Sequence, residues 1–188
     1  MPILILHLSD LHFSEPASKG HYWNSEATEL DKPEYDHLAM LGALCKDLRE
    51  LRIEPAVVVV SGDLLERASS LGVPLATKFL CDLTSALTLP RTRVVLAPGN
   101  HDVIRGRTGP LAYEYYDNIR CEFYGIAPHG LDRKESQARV ELFEWSELGL
   151  QVLAFNSCEL LSAGKEEGAI VIPSRAKASR GLGITVVD

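Results

Sequence analysis

The sequence predicts an α/β fold close to the α+β boundary. Short apolar, β-branched runs alternate with stretches of helical periodicity over about the first hundred residues, and a hairpin-like pair of runs follows them. The length of 188 residues fits one domain spanning 1–188.

The first run, ILILHL at 3–8, reads as a buried strand. A long polar segment follows over about 13–34. Loops of that length are uncommon in compact domains and are often lids or binding loops, so His21, Tyr22, Trp23 and Asn24 are candidates to line one. Leu38, Leu41, Leu44, Cys45, Leu48 and Leu51 then recur at helical spacing over about 35–52, and Pro55 closes the segment. The run AVVVV predicts a second buried strand at 56–60, ending on Ser61-Gly62-Asp63. A helix over about 74–87 carries Leu75, Phe79, Leu83 and Leu87, with Pro74 suited to its first turn. The apolar stretch at 93–97 is a third strand. Pro110 then opens a helix whose Leu111, Tyr115, Ile119 and Phe123 share a face, with Gly125 as its stop. RVELFEWS and LQVLAFNS flank Glu147-Leu148-Gly149 as an antiparallel hairpin.

A hydrophobic share of 46% supports a real core, and a net charge of −7 gives no global attraction to nucleic acid or anionic membranes. No run approaches the roughly 20 apolar residues of a membrane span. The run at 3–6 is too short for a signal-peptide core. Cys45, Cys81, Cys121 and Cys158 show no paired spacing, and Cys45 and Cys81 read as reduced core thiols. A cytoplasmic location is expected.

In a βαβ sheet the ligand site lies beyond the carboxyl ends of the strands. Strand one ends in Asp10-Leu11-His12, strand two in Gly62-Asp63, and strand three in Gly99-Asn100-His101-Asp102. Any one of these is an ordinary polar turn. Three on one sheet edge make a metal-site constellation, and carboxylate, imidazole and amide donors without thiolate suit Mn, Fe or Zn.

These motifs, in this order and each after an apolar run, resemble the calcineurin-like metallophosphoesterases over roughly residues 3–160. The resemblance implies a four-layer αββα sandwich and a phosphomonoesterase or phosphodiesterase with two divalent metal ions. It implies that Asp10 and His12 bind the first metal, Asp63 bridges, and Asn100 binds the second. It makes His101 the imidazole that stabilises the transition state or protonates the leaving oxygen, with Asp102 orienting it. Ions so placed activate water for attack on phosphorus. Arg105, with Arg107, is a weak candidate to grip a substrate phosphate, a solvated pair being the commoner outcome.

The family completes its site with further histidines: one beyond the middle of the domain, then a Gly-His-x-His. The six histidines here stand at 7, 12, 21, 37, 101 and 129, and His129 matches neither position. The chain therefore reads as C-terminally incomplete, with the second metal site weak or empty, the second sheet thin and a strand edge left open to self-association. Impaired hydrolysis is expected. The alternative is a non-catalytic module that binds metal, phosphate or a partner chain. A nuclease role is disfavoured by the acidic balance. His7, between Leu6 and Leu8, is expected as a satisfied core or supporting histidine, and His37 as a surface one. Asn156-Ser157 read as site wall, and the basic run at 174–180 as a solvated tail.

Overall fold

A computed structural model describes residues 2–14, 37–126, 140–158 and 184–186. The proposed lid residues at 21–24, His129 and the basic run at 174–180 lie outside them. Three parallel strands, β1 (Ile5–Leu8), β2 (Val57–Ser61) and β3 (Val94–Ala97), form one sheet in the order β1-β2-β3. Helix α1 (His37–Glu50) links β1 to β2, and α2 (Gly72–Ala86) links β2 to β3. Both crossovers step the same way along the sheet. A right-handed connection therefore puts both helices on one face.

The two faces of the sheet are legible in the alternation of its strands. Val58, Val60, Val94 and Leu96 pack with Leu41 and Cys45 of α1, Phe79, Leu80 and Leu83 of α2, and Ile119 and Phe123 of α3 (Glu114–Tyr124). Val57 and Val95 turn the other way, against Trp145, Leu150 and Val152 of a second sheet. That sheet pairs β4 (Val140–Trp145) with β5 (Leu150–Phe155) as the expected antiparallel hairpin, turned through Gly149 at φ 58°. β-Branched residues on a two-sided buried strand explain why β2 is an unbroken valine run.

Several expectations change. A short strand, β6 (Ile184–Val186), pairs antiparallel with β5, so part of the C-terminal segment belongs to the second sheet. The segment opened by Pro110 begins as a 3₁₀ turn over Gly109–Tyr113 and becomes α-helical only at Glu114. The tighter turn breaks the 3.6-residue period, which leaves Leu111 58% exposed while Ile119 and Phe123 are buried. Gly125 stops α3 in the left-handed conformation, as expected. No helix among the described residues covers the outer face of β4, where Leu142 is exposed, so the fourth layer has no counterpart there. All four cysteines are free. No described helix is long and apolar enough to cross a membrane.

Helix α2 enters against the chain after β1. A Cβ at Gly72 would lie 2.2 Å from the Phe13 carbonyl oxygen. Gly42, in α1, has nothing within 4 Å. Gly72→Ala should therefore destabilise the fold by about 1–3 kcal/mol through overpacking. Gly42→Ala should stabilise it by about 0.5–1 kcal/mol through helix propensity. The urea midpoints of the two variants should move in opposite directions, and a matching shift of both would contradict this packing.

Candidate metal centre

The chain leaving β1 does not part from the chain leaving β2. The two run on side by side, with Asp10 N–H donating to the Gly62 carbonyl at 3.3 Å, His12 N–H to Asp63 at 2.9 Å, and Phe13 N–H to Leu64 at 2.7 Å. Glu66 N–H returns a bond to Phe13 at 3.0 Å. Within this ribbon Asp10, His12 and Asp63 adopt positive φ (57°, 49° and 53°). Asp and His enter that region more readily than most residues, yet each such position costs on the order of 1–3 kcal/mol. Leu11, between the two β1-loop residues, is buried and anchors the segment in the core.

The strain coincides with convergence. Asp10, His12 and Asp63 each offer a ligand atom, all within 4.8 Å of one another. Three of the four residues expected to bind metal are thus gathered. The fourth, Asn100, is half-buried and lines a cleft of about 550 Å³ together with Arg67, His101, Val103, Ile104 and Arg105. Arg105 therefore borders the site, whereas Arg107 ion-pairs with Glu114 on α3. Arg67 was not anticipated.

Two glycines let the second and third loops touch. A Cβ on Gly62, itself at φ 104°, would fall 2.8 Å from Gly99 Cα, and one on Gly99 would fall 2.1 Å from Asp63 Oδ1. Through this contact His101 N–H donates to Asp63 Oδ1 at 2.9 Å.

The acid expected to orient His101 does something else. Asp102 is fully buried, and its oxygens accept backbone N–H bonds from Leu65 (2.8 Å), Gly99 (2.8 Å) and Leu64 (3.3 Å). Burial pushes its carboxyl up to about 7, against the pull of those amides and with the nearby Asp63 charge adding to the rise. The carboxylate facing the His101 ring is Glu66, whose Oε2 lies 3.7 Å from His101 Nδ1 and 3.0 Å from His12 Nδ1. Asp102 is a backbone clamp, and the carboxylate beside both histidines is Glu66, which no motif in the sequence singles out.

His7 is also displaced from expectation. It is exposed, not buried, and its Nε2 lies 2.6 Å from Ser61 Oγ. Asn156 is buried, and its Oδ1 accepts from Cys158 N–H at 3.0 Å, while Cys158 Sγ lies 3.8 Å from the Pro98 carbonyl at the edge of the third loop. That fits a wall.

The donor set suits a hard-to-borderline cation. His12 turns Nε2 toward Asp10 at 3.9 Å, while its Nδ1 lies 3.0 Å from Glu66 Oε2. Among known proteins, the family model for calcineurin-like phosphoesterases matches residues 3–155. A search of the curated proteins finds no match.

Asp102→Ala would strand three amides in a buried loop junction. At about 1–3 kcal/mol for each unsatisfied buried group, the variant should lose several kcal/mol, read as a large fall in urea midpoint. Stability equal to that of the parent would contradict the clamp.

Proposed function

The chain belongs to the calcineurin-like phosphoesterase family, and on that premise we propose that it is a metal-dependent hydrolase of phosphomonoesters or phosphodiesters built for two divalent ions, Mn, Fe or Zn. The observation that carries this reading is the convergence of Asp10, His12 and Asp63 within 4.8 Å beside a cleft bordered by His101. Asp10 and His12 would hold the first ion, Asp63 would bridge, and Asn100 would hold the second. Bound there, the ions would polarise the phosphoryl oxygens and lower the pKa of the attacking water.

The remaining work falls to the chain's own side chains. His101 Nδ1 faces Glu66, which leaves Nε2 as the nitrogen to protonate the leaving oxygen. Asp63 Oδ1 is engaged by the His101 amide, so Oδ2 is the oxygen left for cations. Arg67 and Arg105 border the cleft and suit an anionic phosphate. The acidic balance of the chain weighs against a nucleic-acid substrate.

Donor arithmetic tempers the expected rate. Among the described residues the first ion would draw on three protein donors and the second on Asp63 and Asn100, a thin set for a two-metal reaction. That thinness favours a second reading, a phosphoesterase-fold module that binds metal or phosphate without turnover.

Asp63→Asn should abolish stable loading of Mn²⁺, because it removes the carboxylate shared by both ions; metal content after dialysis measures this, and unchanged content would sink the bridging role. The 188-residue chain should hydrolyse bis-p-nitrophenyl phosphate slowly or not at all with saturating Mn²⁺. Any turnover should fall by about 10²–10⁴-fold in His101→Ala, the range of a lost general acid. Robust turnover would show that two protein donors suffice for the second ion.

A further inference from the structure

We propose that His12, Glu66 and His101 form a transition-metal site of their own, suited to Zn²⁺ and separate from the Asp10–His12–Asp63 set. Glu66 Oε2 lies 3.0 Å from His12 Nδ1 and 3.7 Å from His101 Nδ1, and each of the three residues offers a ligand atom within 4.8 Å of the other two. Tetrahedral zinc with bonds of about 2.0–2.1 Å places neighbouring ligand atoms roughly 3.3 Å apart. The two contacts straddle that spacing. Two imidazoles and one carboxylate are also a donor set zinc uses, and no thiolate is needed.

A carboxylate accepting a proton from each ring would be the simpler arrangement, but the geometry departs from it. Both Nδ1 atoms are buried, and neither makes an aligned hydrogen bond among the described residues. At 3.0 Å the Glu66 oxygen is close enough to His12 to accept, yet it sits off the ring's N–H axis. Neighbouring ligands of one cation have that relation, because each aims at the ion and not at the other. The two rings meet edge to face, at 79° and 4.7 Å between centroids, so their nitrogens approach from different directions. Arg67 Nε stands 3.3 Å from Glu66 Oε1, which leaves Oε2 as the ligand oxygen. The three side chains are 28–33% exposed, so the cluster lies near the surface although both Nδ1 atoms are themselves buried. The backbone holds them in place through Glu66 N–H to Phe13 and Ala68 N–H to the His101 carbonyl.

His12 belongs to both sets, through Nε2 on the Asp10 side and Nδ1 on the Glu66 side. A neutral imidazole has one nitrogen lone pair to give. Ions at the two sites therefore compete for His12.

The inference does not rest on phosphoester hydrolysis, and its test uses no substrate. Zn²⁺ is titrated against a competing chelator into the Asp10→Asn/Asp63→Asn double variant, which should retain one ion per chain. Adding Glu66→Gln or His101→Ala should weaken that ion by at least about 10-fold, more than the loss of an outer partner costs. In the parent protein, Zn²⁺ should shift the ¹⁵N resonance of His101 Nδ1. A double variant that holds no zinc, unchanged affinity in both added variants, or a shift confined to His101 Nε2 would each overturn the site.

Discussion

Three backbone amides from two different loops end on one buried carboxylate. Asp102 takes Leu64 and Leu65 from the loop after β2 and Gly99 from the loop after β3. Everything the site does presupposes that junction. The Gly62–Gly99 approach brings Asp63 to the His101 amide, and the same second loop is laced to the first through Gly62, Asp63 and Leu64. The β1 loop is therefore positioned by the β2 loop, and the β2 loop by Asp102. A buried carboxylate is costly unless hydrogen-bonded, so the amides that need a partner and the charge that needs donors satisfy one another.

The two-sided first sheet is the platform for this junction. One face carries three helices and the other carries β4 and β5, so β2 and β3 beneath the site are buried on both sides. Strain at Asp10, His12 and Asp63 is thus borne by loops whose roots are tightly packed. Left-handed non-glycine residues persist where surrounding structure over-determines them, and here the surroundings are identifiable hydrogen bonds.

Much of this was legible in the chain. The β-branched runs marked all three parallel strands, and their polar ends marked the site, because parallel sheets display function at one edge. The roles of Asp102 and Glu66 were not legible, for a simple geometric reason. Asp102 is adjacent to His101 in sequence, but successive residues in a tight helical turn point in different directions, so adjacency misled. Glu66 looks like a solvated acid in LLER, and it reaches His12 and His101 only because the β1 and β2 loops run together. Its one signal was the flanking pair Leu64 and Leu65, fully buried, which ties the loop to the core. Strand β6 was hidden by its length of three residues, too short for periodicity, since its existence depends on pairing with β5. The exposure of His7 likewise follows from tertiary context: among the described residues β1 pairs only with β2 and forms the sheet's edge.

The Asp102 junction also bears on how metal affinity and folding are linked. In small zinc domains the ligands are scattered until the ion arrives, and binding supplies the folding free energy. Here amides, glycines and a carboxylate already fix the candidate ligand loops to a hydrophobic core. Among the described residues little chain ordering is left for an ion to drive, so the binding free energy there is spent almost wholly on the ion itself. Chelation should then strip the centre and leave the domain standing, with stability changed only by the mass-action term that any native-state ligand contributes.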